Sequence, residues 1–178
     1  YVVTLYFKSA SRGEVTLFTS ASTEGFTAIA SLAAFNAAIA TPDAKILLKP
    51  GTYTLEDGKT FEIPGPLTIV GEENAEGVKP VIQGEFHILG TATGSIKFEG
   101  VALDGVKGKY GFAIQLKNGG GITNDVVLDE ISFKNCEIFG FSKGLIYEWG
   151  QPLNVGKLNW ESCYIHDINS DGTGGGDV

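Results

Sequence analysis

Residues 96–106 read IKFEGVALDGV, and two later stretches align beneath them without a gap: ISFKNCEIFGF at 131–141 and LNWESCYIHDI at 158–168. The first position holds Ile96, Ile131 and Leu158, and the third holds Phe98, Phe133 and Trp160. The fifth holds Gly100, Asn135 and Ser162, all turn formers. Val101, Cys136 and Cys163 follow at the sixth, Leu103, Ile138 and Ile165 at the eighth, and Val106, Phe141 and Ile168 at the eleventh. Apolar and polar residues alternate, pause at the turn, and alternate again in a shifted phase. Two strands meeting at a corner produce that pattern.

Shorter copies come earlier. Leu67-Thr68-Ile69-Val70-Gly71 fits the first five positions, and Ile46-Leu47-Leu48 begins another copy ahead of Pro50-Gly51. Register starts at 46, 67, 96, 131 and 158 give spacings of 21, 29, 35 and 27 residues. Such a period marks a solenoid. The leucine-rich core Leu-x-x-Leu-x-Leu-x-x-Asn is absent, so the expected fold is an all-β, right-handed parallel β-helix of about five rungs. Third strands are expected at 53–55, 80–83, 112–116 and 145–147. Stacking puts Glu99, Lys134 and Glu161 in one outward file, where alternating charge is favourable.

One helix is expected over 26–40, with Phe26, Ile29, Leu32, Phe35 and Ile39 on one stripe, Thr27 as N-cap and Pro42 beyond its end. It reads as a cap over the open end of the stack. Residues 1–22 alternate around the turn Lys8-Ser9-Ala10-Ser11-Arg12-Gly13 and form a hairpin. That hairpin either packs on the next element or closes a preceding domain, with 23–178 as the N-terminal part of the β-helix domain. The chain contains no Met, so Tyr1 is not a translation start and a longer parent chain is expected.

Composition narrows the partners. With 43% hydrophobic residues the chain can build a core. A net charge of −8 argues against nucleic acid, which needs a basic footprint. No apolar run reaches the roughly 18 residues of a membrane span.

The helix stripe and AKILLKPGTY at 44–53, then LTIVGE at 67–72 and KPVI at 79–82, resemble the entry to pectate-lyase-like right-handed β-helices. The resemblance covers about residues 26–168. It is closest to uncharacterised β-helix domains of exported gut-bacterial proteins, which often follow fibronectin type III modules, and the N-terminal hairpin resembles the closing strands of such a module. The resemblance implies an extracellular or cell-surface setting, polysaccharide as partner, and further domains in the same longer chain. Lyases of that superfamily supply an Arg or Lys base and calcium-binding carboxylates. Here Arg12 lies outside the helix and no acidic cluster stands on successive rungs, so no catalytic residue is carried over.

Candidate contacts lie on the outward positions seven and nine. These hold Ala102 and Asp104, then Glu137 and Phe139, then Tyr164 and His166. Exposed aromatics stack on sugar rings, and Glu137 or Asp104 can bond hydroxyls; a covering loop is the competing expectation. Tyr and His together also suit acid and base roles. Tyr147 and Trp149 are expected in the core. Cys136 and Cys163 are expected as two stacked, buried thiols: stacked Cβ atoms about 4.8 Å apart lie slightly too far for an unstrained disulfide, and no nearby ligand spacing marks a zinc site. Asp167, Asn169 and Asp171, with Gly172, begin like a calcium loop, but the twelfth residue is Val178 where an acid is needed. A flexible turn is the expectation there, and calcium is the one cofactor in view. Gly119-Gly120-Gly121 reads as a turn.

Overall fold

A computed structural model describes residues 23–116, 125–147 and 153–169. The hairpin expected in 1–22, Gly119–Gly121, Trp149 and Asp171 lie outside them. Strands are numbered along the chain. The first sheet holds β1 (Thr27–Ile29), β2 (Ala44–Leu48), β5 (Leu67–Gly71), β8 (Ser95–Glu99), β11 (Val126–Lys134) and β14 (Leu153–Glu161), in that spatial order. The second holds β3 (Thr52–Thr54), β6 (Val81–Gln83), β9 (Ala102–Asp104), β12 (Glu137–Phe139) and β15 (Tyr164–His166). The third holds β4 (Phe61–Ile63), β7 (Phe86–Ile88), β10 (Phe112–Leu116) and β13 (Gly144–Tyr147). Every neighbouring pair is parallel. From β2 onward the chain visits the three sheets in strict rotation. This is an all-β arrangement of three parallel sheets with one short helix, compatible with a β-helix. Among the described residues no helix is long and apolar enough to cross a membrane.

The repeat sets the register of the later circuits. Ile131 pairs with Ile96 and Leu158, and Phe133 with Phe98 and Trp160. Ile138 pairs with Leu103 and Ile165. The corner between the first two sheets falls at position five, where Gly100, Asn135 and Ser162 all take a positive φ, of 66°, 50° and 54°. Asn tolerates that region through local hydrogen bonding. At the equivalent Gly71 a Cβ would lie 2.2 Å from the Gly100 carbonyl oxygen, so this corner admits no side chain.

Identical files pile their side chains together. Ile69, Ile96, Phe98, Ile131, Phe133 and Ile138 are fully buried. Phe98 and Phe133 stack at 5.3 Å and Phe133 and Trp160 at 4.3 Å, each pair within 6° of parallel. The ring contacts continue from Phe98 through Phe86 and Phe61 to Phe35 of the helix, at 5.1, 5.0 and 5.3 Å. Outside, Lys134 bridges Glu99 at 3.5 Å and pairs in register with Glu161. The alternating charge file is therefore present.

The early circuits differ from expectation. The helix α1 is only Leu32–Ile39, and its N-cap is Ser31, whose side chain accepts from the Ala34 N–H, not Thr27. Thr27–Ile29 is instead a strand. It pairs with β2, buries Ile29, and offers the Ile29 carbonyl to the Tyr53 hydroxyl at 3.1 Å. The sheet edge recruits these residues because pairing satisfies backbone groups that a helix end would leave open. The helix packs against β2, β3 and β4. Ala44, not Ile46, pairs with Leu67, so the first copy starts two residues earlier than expected. The strands expected at 53–55 and 80–83 are Thr52–Thr54 and Val81–Gln83 of the second sheet, and Phe61–Ile63 and Phe86–Ile88 supply the third. Tyr147 is only half-buried. It pairs with Gln115 and stacks on Phe112 at 4.3 Å, so it belongs to no core file.

Phe98→Ala removes the ring that joins the third-sheet aromatics to those of the first. It should destabilise by about 3–5 kcal/mol in denaturant unfolding. Val127→Ala, at a side chain 59% exposed, should stay within roughly 0.5 kcal/mol.

Candidate functional site

Strands β9, β12 and β15 lie side by side in the second sheet. Leu103 and Ile138 are buried in the core and Ile165 pairs in register with Ile138, so alternation turns their neighbours to the other face. One outward file runs Ala102, Glu137, Tyr164 and the next Asp104, Phe139, His166. The structure brings four of the five candidates together. Tyr164 is 63% exposed, and its ring stacks on His166 at 4.3 Å. His166 lies parallel to Phe139 at 5.1 Å and 5°. Glu137 Oε1 sits 3.1 Å from His166 Nε2, and Asp167 Oδ2 sits 2.8 Å from Nδ1.

The fifth candidate is engaged elsewhere. Asp104 Oδ2 accepts from Gln83 Nε2 at 2.8 Å, and Oδ1 accepts from the Val106 N–H at 2.7 Å. Gln83 in turn accepts from the Thr54 hydroxyl. That chain holds three strands in register and leaves Asp104 a bracing role.

His166 has a carboxylate at each ring nitrogen. Both nitrogens donate only in the protonated ring. Its pKa is raised, first by the hydrogen bond to Asp167 and then by that to Glu137, with partial desolvation opposing. At the pH values where it is protonated, the surface is a cationic ring held between two anions with an exposed phenol stacked beside it. The arrangement combines a flat aromatic surface with carboxylate acceptors. Neither His166 nitrogen is left over to act as a free base. Among the described residues no group of three or more His, Cys, Asp or Glu side chains could hold a metal ion. Asp167 spends one oxygen on His166, and Asn169 donates its N–H to the Phe141 carbonyl.

A second polar group was not anticipated from the sequence. Glu85 is 11% exposed at its side chain, and its Oε2 accepts from the Gly111 and Phe112 N–H groups at 3.1 and 3.4 Å. Its Oε1 meets His87 Nε2 at 2.5 Å and also the Gln115 amide. Gln115 Nε2 is 2.6 Å from His87 Nε2. His87 pairs with Glu62 on one side and Gln115 on the other, and Tyr147 follows Gln115. Beside Glu62 a cleft of about 450 Å³ opens toward Asn36 and Lys59. The signal was the order Glu85-Phe86-His87-Ile88: with a strand assigned there, alternation sets Glu85 and His87 on the same face.

A raised His166 pKa has a definite sign. The protonated ring stabilises the fold fully below its unfolded value near 6.5, and the contribution fades as pH rises through the folded value. An NMR titration should place the His166 midpoint above 6.5. Asp167→Asn should pull it down further than Glu137→Gln does. Comparison with known proteins finds no matching family model, no matching curated protein and no matching solved structure.

Proposed function

We propose that this chain is a right-handed parallel β-helix module of pectate-lyase-like type, built on about five coils, which binds or displays toward polysaccharide without catalysing its breakdown. One observation carries the reading: the Tyr164–His166–Phe139 stack, with Tyr164 exposed and the other two rings part-buried, is flanked by the Glu137 and Asp167 carboxylates. Aromatic faces offer stacking with specific geometry, and carboxylates supply charge-assisted acceptors for hydroxyls. The net charge of −8 favours neutral glycans over polyuronates, which would need bridging cations. The same reading puts the protein outside a bacterial cell or on its surface, within a longer chain.

A second reading, part of a polysaccharide lyase or glycoside hydrolase, draws on the Glu85–His87 contact, an imidazole clamped by a buried carboxylate. Service as a structural spacer in a surface adhesin is the remaining alternative.

A glycan array separates them. Binding by the wild-type chain should weaken roughly tenfold in Tyr164→Ala, equivalent to about 1.4 kcal/mol, and should survive in His87→Gln. Release of unsaturated uronate or reducing ends, lost in His87→Gln, would select the enzyme instead. No array signal and no product would leave the spacer.

A further inference from the structure

Cys136 and Cys163 occupy the same place in successive circuits. Each follows a first-sheet strand and precedes a second-sheet strand. Lys134 pairs with Glu161 just before them, and Glu137 pairs with Tyr164 just after. The Asn135 N–H donates to the Glu161 carbonyl at 2.8 Å, and the Tyr164 N–H donates to the Cys136 carbonyl at 2.9 Å. Parallel neighbours lie about 4.8 Å apart. That falls inside the Cα separation of roughly 4.4–6.8 Å that disulfides span, and the Cβ atoms need close by only a few tenths of an ångström to reach the roughly 3.5–4.5 Å of a bridge.

The side chains share one pose as well. Cys136 Sγ lies 3.5 Å from the Phe98 carbonyl oxygen and 3.3 Å from that of Lys134. Cys163 Sγ lies 3.4 Å from both of the equivalent carbonyls, Phe133 and Glu161. Both sulfurs are free thiols. Their surroundings differ: Cys136 is 2% exposed, and Cys163 is half-exposed.

We propose that Cys163 is a peroxide-reactive thiol and Cys136 its resolving partner, closing a disulfide that joins successive circuits. Access gives the order: Cys163 is the sulfur that solvent reaches, while Cys136 lies in the core. The electrostatics agree, with Cys163 brought down first by the hydrogen bond from the Cys136 thiol. Cys136 is pushed up, first by that same neighbour and then by burial. A thiolate is the nucleophile in such chemistry, so Cys163 reacts first.

The Cys163 thiolate attacks one oxygen of a peroxide. The O–O bond breaks, hydroxide leaves and takes up a proton, and Cys163 becomes a sulfenic acid. The Cys136 sulfur, losing its proton, then attacks the Cys163 sulfur; the S–O bond breaks and water leaves. Two thiols lose two electrons and one hydrogen peroxide becomes two waters. The product clamps the circuit that carries Tyr164 and His166, and the chemistry is independent of any glycan contact.

The folded chain is treated with equimolar hydrogen peroxide and examined by intact mass and peptide mapping. We expect loss of two hydrogen masses, a linked Cys136–Cys163 peptide, reversal by dithiothreitol, and a higher Tm in the oxidised form. In Cys136→Ser, dimedone should capture a sulfenate at Cys163; Cys136→Ala serves if the serine variant fails to fold. In wild type, brief iodoacetamide treatment should label Cys163 at least tenfold faster than Cys136. Unmodified sulfurs, over-oxidised Cys163, intermolecular dimers without the internal link, or equal labelling of the two thiols would each overturn the proposal.

Discussion

Each residue in this protein is held chiefly by its own counterparts one circuit before and one circuit after. The parallel ladders fix that neighbourhood, because strands hydrogen-bonded in register bring equal positions to about 4.8 Å. Everything inside must then suit a near copy of itself. Branched aliphatics and flat rings do so: Ile96 meets Ile131, and Phe98 lies parallel on Phe133. Everything outside must avoid its own charge, as Lys134 does between Glu99 and Glu161; Glu130 likewise pairs in register with Ser95 and Lys157, and it bridges Lys157 at 3.4 Å and the diagonal Lys97 at 2.7 Å. The backbone corner must likewise be admissible in every copy, hence the small or turn-forming residues at Gly71, Gly100, Asn135 and Ser162.

That rule explains what could be read from the chain. The three later copies keep one length between the first and second sheets, so their files lie open in the sequence. The first copy starts at Ala44, two residues before the Ile46 that the pattern suggests. A slip of one would have turned every side chain to the wrong face, but a slip of two preserves alternation and leaves no trace in the pattern. Residues 26–29 carry apolar spacing that serves a helix or a short strand equally, and the open edge of β2 decides between them. Of the third sheet, the strands at 112–116 and 145–147 are legible as apolar runs, whereas β4 and β7 are not, because the lengths leading into them vary from circuit to circuit and leave no column to align.

The candidate site divides along the same line. Glu137, Phe139, Tyr164 and His166 lie within the repeat, so alternation alone put them on one face, and the structure adds that the rings stack. What alternation could not supply is partner choice. Asp104 belongs to that outward face, yet it is claimed by Gln83 and the Val106 N–H, while Asp167, at a corner with a φ of 51°, takes over as the second carboxylate on His166. Glu85, His87 and Gln115 were missed for a related reason. They occur once, in circuits of unequal length, and a feature without copies leaves no periodic signature.

The ladders also tie distant surfaces together. Tyr164 and His166 sit on β15, whose backbone is hydrogen-bonded in register to β12, and β12 in turn to β9. In an array whose units are held by nearest neighbours, steadying one unit steadies the next. A molecule that settles on the Tyr164–His166 pair therefore holds β15 against β12, and its arrival registers as slower exchange of backbone amides it never touches.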